Sequence, residues 1–340
     1  MIYLKKWQKK KAPDSVSGRP CSGAEPEKTP LYNDYSSYLK KRFGGKVHRI
    51  GIDAGFSCPN RDGTKGRGGC SFCDDKGSRA RYADPSRSVS EQLATGIKTL
   101  KEAKSAEKFI AYFQAFSNTH ASPSKLRGIY DAVLPFKDVV GISIGTRPDI
   151  VDDEKMALIA SYSDRYDMWV EFGLQSMHDR TLALLNRRHT REDFTQAVRL
   201  TKAHAVSCAA HVILGLPGES ASDMIETARF LNSTKVEGVK IHLLHILKGS
   251  PLEKEYAHGA VRILEQEEYV TIICDFIENL SPDIVIQRLT GQGSGKSHIA
   301  PAWALDKIDT INKIRAELTR RGTRQGSALG MAPSRHCEES

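Results

Sequence analysis

The chain has 340 residues, 39% of them hydrophobic and 27% charged, with a formal charge of +9 and a pI near 9.1. That length suits one large α/β domain with tails or two smaller domains, and no stretch approaches the roughly 18 uninterrupted apolar residues of a membrane span, so no membrane partner is expected. The basic balance favours an anionic partner, with nucleic acid as the first candidate.

The N-terminus, Met1 to Lys11, is basic but lacks the apolar stretch of a secretory signal. A cytoplasmic protein with reduced thiols is therefore expected, and the seven cysteines are not read as disulfides. Residues 8 to 30 are rich in Lys, Pro, Ser and Gly without apolar periodicity, so residues 1–30 read as a basic mobile arm. A first strand is predicted over Val47 to Asp53, and a glycine-rich loop carrying Cys58, Cys70 and Cys73 follows it. Three thiolates suit a [4Fe-4S] cluster with one iron left open, whereas a closed zinc site takes four ligands and would need His120 or His48 to complete it. Cys70 and Cys73 offer two sulfurs from one turn, and Gly66, Gly68 and Gly69 allow close wrapping. Arg61, Lys65 and Arg67 either balance an anionic cluster or are solvated loop charges. Phe72 is expected to pack over the bound group.

Further strands are predicted at Phe109 to Ala115, Val139 to Ile144, Trp169 to Leu174, Cys208 to Leu214 and Val239 to Leu244. Their near-continuous apolar character suits a parallel sheet covered on both faces. Helix starts are marked between them by Ser88 with Glu91, Ser122 before Pro123, Thr190 with Asp193, and Ser220 with Asp223. Six right-handed βα units over residues 31–280 predict an α/β fold, an open partial (β/α)6 TIM-like barrel, with a C-terminal strand and helix extension over 281–320 and a flexible tail over 321–340. Ligands of such sheets gather beyond the carboxyl ends of the strands, where the cysteine loop falls.

Polar residues at those strand ends are the remaining candidates. Gln114 follows strand two; Arg147 follows strand three and either meets a carboxylate bidentately or pairs with Asp149 or Asp152. Glu171 and Gln175 lie four apart on strand four and so share a face. Arg187, Arg188 and His189 precede a helix, either as contacts to a carboxylate or phosphate or as structural groups. His242 and His245, three apart, are expected on opposite faces of strand six, so at most one should enter the mouth. Gly291 to Ser297 imitates a phosphate-binding loop, but Thr290 stands where its first glycine should be. The stretch is read as a cover for the mouth or a surface hairpin. Lys307 to Arg324 reads as a basic helix suited to phosphates. Cys208 and Cys274 read as core thiols, and Cys21 and Cys337 as exposed tail thiols.

Taken together, the cysteine loop ending in Cys70-Ser-Phe-Cys73 and the string of βα units resemble the radical S-adenosylmethionine (SAM) superfamily. The C-x11-C-x2-C spacing is similar to its long-gap group, which includes the Elongator catalytic subunit. Phe43-Gly-Gly-Lys-Val47, Cys58-Pro-Asn-Arg-Asp-Gly63, Gly69-Cys70, Gly145-Thr-Arg-Pro-Asp149 and Glu171-Phe-Gly-Leu-Gln-Ser176 resemble a bacterial family, long called uncharacterised, with some members linked to tRNA wobble-uridine modification. The resemblance spans about residues 30 to 318. It implies a [4Fe-4S] cluster on Cys58, Cys70 and Cys73, with SAM chelating the open iron and being cleaved reductively to a 5′-deoxyadenosyl radical. It also implies a reduced flavodoxin- or ferredoxin-type electron donor and a tRNA substrate. A small metabolite or a protein is the alternative substrate, and a non-catalytic metal-binding module is a remote third reading. SAM contacts are expected from Gln114, Arg147, Glu171, Gln175 and Gly215, with Ile213 and Leu214 beside adenine or in the core. The superfamily's usual Gly-Gly-Glu segment is replaced here by Tyr112 to Asn118, which shifts the expected amine contact to backbone carbonyls near Gln114 and Ala115. Too few residues follow the last predicted barrel element for an Elongator-type acetyltransferase domain, so acetyl transfer is not expected.

Overall fold

In the computed structural model the described residues are 29–77, 79–80, 82–291 and 295–330. The readings placed on residues 1–28, on Cys21 and on Cys337 lie outside them. The unit that begins at Leu31 is built on a parallel sheet. Strands β1 (Val47–Ile52), β2 (Lys108–Phe113), β3 (Val139–Thr146), β4 (Asp167–Gln175), β5 (Ser207–Leu214) and β6 (Gly238–Leu243) lie side by side in chain order. All six match the predicted strands to within two residues. The predicted count of six units is one short. After a short β7 (Ile246–Leu247), strand β8 (Val285–Arg288) pairs parallel to β6 and makes the sheet seven-stranded. Four residues are too short a run to show periodicity, which is why this strand read as part of an extension. β9 (His298–Ala300) pairs antiparallel with β7.

Helices α1 (Tyr35–Phe43), α2 (Val89–Lys104), α3 (Pro123–Asp131), α4 (Asp153–Ala160), α5 (Asp179–Leu184), α6 (Arg191–Ala203), α7 (Ala221–Thr234), α8 (Pro251–Ala257), α9 (Gln266–Glu278) and α10 (Lys307–Arg321) complete the order. The predicted starts are real caps. Ser88, Thr190 and Ser220 each form a reciprocal capping box with Glu91, Asp193 and Asp223, and Ser122 caps α3 ahead of Pro123. Each satisfies backbone donors that a helix start would otherwise leave open, typically worth about 1 kcal/mol. Among the described residues no helix is long and apolar enough to cross a membrane.

The sheet curls until its first and last strands meet, and Arg49 on β1 donates to Gln287 on β8 at 2.7 Å. Helix α1 lies against the strand starts. Arg42 pairs with Asp167 at 2.7 Å, Tyr35 and Tyr38 both meet Trp169 edge-on, and Tyr35 and Leu39 are buried with Val285. The amino ends of the strands are thereby closed, leaving a cavity that opens at the carboxyl ends.

The C-terminal segment differs from its sequence reading in two ways. The basic helix stops at Arg321, where Gly322 adopts φ 65° as a left-handed cap. The predicted tail is fixed as far as residue 330, because Gln325 is buried. Its side-chain amide donates to the carbonyls of Ser281 (2.6 Å) and Ile284 (2.8 Å) and accepts from the Asn33 amide at 2.8 Å. Its polar composition conceals this anchor. The cations of α10 are also largely spent on neighbours: Lys313 pairs with Glu267 and Asp309, Arg320 with Glu317, and Arg321 with Glu317, Asp275 and Glu278.

Candidate active site

The loop after β1 closes on itself before it presents its thiols. Backbone bonds run from Arg61 N to Cys58 O (2.7 Å), from Gly69 N to Asn60 O (2.9 Å) and from Cys73 N to Cys70 O (3.0 Å). Gly69 stands at φ 79°, which favours glycine, and a Cβ there would lie 2.8 Å from Arg61 Nε and displace that side chain. Cys58, Cys70 and Cys73 then line one cavity of about 270 Å³ at the strand ends. Asn60 Nδ2 and Arg187 Nη1 donate to Cys70 Sγ at 3.5 and 3.4 Å. Arg187 also donates to the Gly173 carbonyl at 2.6 Å, and Arg61 donates to the carbonyls of Cys73 and Asp74. The closeness of the two thiols pulls Cys70 well down and pushes Cys73 well up, with Arg187 and Asn60 adding to the effect on Cys70.

Three soft donors on one wall, with N–H groups and a guanidinium aimed at a sulfur, fit an anionic iron-sulfur cluster. The zinc alternative does not assemble: neither His48 nor His120 lines the cavity, and His120 is held by Asp62 at 2.9 Å. Of the loop cations, Arg61 faces the cavity, Lys65 pairs with Asp149 at 2.7 Å, and Arg67 is exposed. Phe72 lines the cavity and packs against an apolar cluster that includes Ile213 and Leu244.

The strand-end candidates are mostly brought together. Gln114, Arg147, Glu171 and Gln175 all line the cavity, as do Arg187 and Ile213. Gly215 does not: it takes φ 82° in the turn ahead of α7, where a Cβ would come within 3.0 Å of Leu264. Arg147 resolves toward its ion pair. Its Nε and Nη2 both bond Asp149 at 2.9 Å, and Nη2 also reaches the Arg187 carbonyl at 2.8 Å. Only Nη1, buried without a partner, is left for a ligand. Gln175, at φ 72°, ends β4 where its register to β5 slips.

Glu171 sits lower in the cavity, fully buried. It accepts from Lys240 Nζ and from His211 Nε2 at 2.7 Å, with Arg49 at 3.9 Å. Burial alone would raise its carboxyl, but the Lys240 charge, the His211 bond and Arg49 outweigh burial and hold it well below the usual carboxylate range. Burial and Lys240 push His211 down to about 4, against the pull of Glu171. Lys240 also donates to the Tyr112 hydroxyl at 3.1 Å. Arg49 and Lys240 escaped the sequence reading, although each is a lone cation in an apolar strand.

The expectation for the two histidines is overturned. Both line the cavity, with rings 4.7 Å apart, and His298 stands 4.8 Å beyond His245. β6 ends at Leu243, so the two-residue alternation no longer governs His245. The glycine stretch begins against this group, since a Cβ at Gly291 would lie 2.2 Å from the His242 ring. Residues 292–294 of that stretch lie outside the described residues. Cys208 and Cys274 are core thiols.

Comparison with known proteins agrees with this geometry. The chain matches the family model described as the Radical SAM superfamily over residues 62–231 and that of the Radical_SAM C-terminal domain over 236–320. It is 40% identical over 299 residues to the Bacillus subtilis (strain 168) protein YtqA, described as uncharacterized, covering 87% of this chain and 92% of that one. It is 26% identical over 140 residues to the tRNA uridine(34) acetyltransferase of Methanocaldococcus jannaschii, a match to 39% of this chain and 25% of that protein. Among solved structures, N-terminally deleted archaeal Elp3 of Methanocaldococcus infernus superposes with a TM-score of 0.61 at 16% identity, over 82% of this chain and 64% of that one. The fold, the matched domains and the extended identity make this chain a member of the radical SAM superfamily, an enzyme whose cofactors are a [4Fe-4S] cluster and S-adenosylmethionine.

Proposed function

We propose that Cys58, Cys70 and Cys73 hold the cluster and that the enzyme modifies the wobble uridine of a tRNA. The observation that carries the first part is the convergence of the three thiols with the polar strand ends on one cavity. When bound, the cluster and SAM supply one-electron cleavage of a sulfur–carbon bond and a 5′-deoxyadenosyl radical that takes a hydrogen atom from the substrate.

This chain's residues bind and orient. Asn60 and Arg187 direct donors at Cys70 and so favour its thiolate. Arg147, fixed by Asp149, holds the turn that carries Arg187 and presents Nη1 to the cavity. Gln114, Glu171 and Gln175 supply polar groups around SAM, and Gly215 shapes the strand-five turn from outside the lining. Phe72, Ile213 and Leu244 give an apolar side that excludes water. A reduced flavodoxin- or ferredoxin-type protein supplies the electron.

The tRNA assignment draws support from the partial match to a tRNA uridine(34) acetyltransferase and from the net charge of +9. One observation favours the second reading, a small-metabolite substrate: the cations of α10 expected to grip phosphates are mostly paired within the protein. Nucleoside mass spectrometry of tRNA from cells with and without this protein separates the two. A changed wobble-uridine profile is expected, and an unchanged one overturns the tRNA reading. Anaerobic reconstitution should give about four irons per chain and reductant-dependent 5′-deoxyadenosine; one bound zinc without SAM cleavage would overturn the cluster assignment.

A further inference from the structure

Within the barrel, among side chains of β1, β6 and β8, the interior holds more positive charge than it neutralises. Arg49 on β1, Lys240 on β6 and Arg288 on β8 come together there, and Arg288 stands in register beside Lys240 on the neighbouring strand. Glu171 is the one carboxylate among the described residues within ion-pair reach of this group, and it is engaged by Lys240 and His211. Arg49 keeps Nη2 on Gln287 and lies over the Tyr35 ring at 4.3 Å, while its Nε is buried without a partner.

Arg288 is the least satisfied of the three. It lines the cavity, yet its one hydrogen bond among the described residues is a long contact from Nε to the Ile241 carbonyl at 3.4 Å. Among the described residues neither of its terminal nitrogens has an acceptor, and it forms no ion pair. Arg288 is half-buried; burial works against its charge, Tyr112 and Glu171 favour it, and Arg49 adds to the opposition. Cations gathered in a poorly hydrated interior are costly unless an anion joins them. A guanidinium with both terminal nitrogens open matches an oxyanion in a bidentate fork.

We propose that Arg288, backed by Arg49 and Lys240, is a specificity-determining subsite for an anionic oxygen group, a phosphate or a carboxylate, on the molecule whose hydrogen is taken. The proposal rests on this cavity being the reaction site, but not on the substrate being tRNA. SAM's own carboxylate belongs at the cluster in that reading, beside Arg187 and Arg147, and so leaves Arg288 to the substrate.

The test uses the anaerobically reconstituted holoenzyme saturated with SAM, titrated calorimetrically with inorganic phosphate and, separately, with acetate. At least one anion should bind, and Arg288→Gln should weaken it by about tenfold or more, the loss expected for a charge-assisted contact. Arg288→Lys should recover part of the affinity, and Arg67→Gln, on the exposed loop, none of the loss. Preference for phosphate identifies a phosphorylated group, and preference for acetate a carboxylate. Unchanged SAM affinity in Arg288→Gln shows that the variant is folded; if it fails that check, the comparison of wild type with Arg288→Lys decides. Failure of both anions to bind wild type, or equal binding to the Arg288 variants, overturns the subsite. Arg288-dependent anion binding with an unchanged tRNA nucleoside profile overturns the tRNA reading alone.

Discussion

Replacing Asp149 with Asn tests whether Arg147 is a fixed part of the scaffold. Asp149 accepts both bonds from Arg147 and one from Lys65, and the side chains of Arg147 and Asp149 are only 3% and 2% exposed. Burial would raise the Asp149 carboxyl, but the Arg147 bond and charge, then Lys65, win and take it from 3.8 down to about 2. That depression corresponds to about 2.4 kcal/mol of stability at neutral pH. Stripping a buried pair outright costs roughly 3–5 kcal/mol, but in Asp149→Asn the guanidinium keeps its 2.8 Å bond to the Arg187 carbonyl and the amide oxygen still accepts. We therefore expect a loss of about 2–3 kcal/mol in urea unfolding at pH 7. The sign of the pH dependence follows from a depressed acid: the contribution is complete above the unfolded value of 3.8 and is lost as pH falls through about 2. By pH 3 about half of it should remain, so the gap between wild type and variant should shrink accordingly. A gap under about 0.5 kcal/mol at pH 7, or one of equal size at pH 3, would refute the reasoning.

Single changes of Cys58, Cys70 or Cys73 to Ala should abolish 5′-deoxyadenosine formation and lower iron well below about four per chain, whereas Cys208→Ala and Cys274→Ala should keep the iron and lose only stability, measured by metal analysis and thermal unfolding. Gly291→Ala places a methyl 2.2 Å from the His242 ring, and should cut turnover of substrate while the three cysteines keep their iron, read by product analysis and metal content. Gln325→Ala removes three side-chain bonds that tie residues 321–330 to the barrel, and should cost roughly 2–4 kcal/mol and expose the segment to proteolysis, which limited trypsin digestion reads directly.

The parts of this protein legible in its sequence are those governed by local rules. Strands showed as apolar runs, helix starts as Ser or Thr three residues before an acid, and the cluster loop as cysteines among glycines. What stayed hidden depends on distant contacts. Gln325 reads as tail because its neighbours in sequence show no apolar periodicity, yet its partners are Asn33, Ser281 and Ile284. Arg147 could not be divided between a ligand and Asp149 until the turn after β3 placed both atoms. The basic helix failed as a phosphate grip because half of each of its ion pairs comes from α9 or from its own acidic residues.

The charged interior was legible only in part, through Glu171, since the rest of its signal is present but spread thinly. Six of the seven parallel strands contribute a polar or aromatic side chain to this interior group: Arg49, Tyr112, Glu171, His211, Lys240 and Arg288. Within any one strand such a residue looks like noise in an apolar run. Barrel curvature makes them a layer, because side chains facing inward from successive parallel strands converge while those facing outward spread beneath the helices. A charge is tolerated at such a position only where a partner or ligand meets it. Glu171 meets Lys240 and His211, whereas Arg288 forms no ion pair among the described residues. An isolated cation in an otherwise apolar barrel strand is thus better read as a question about the ligand than as an imperfection of the strand.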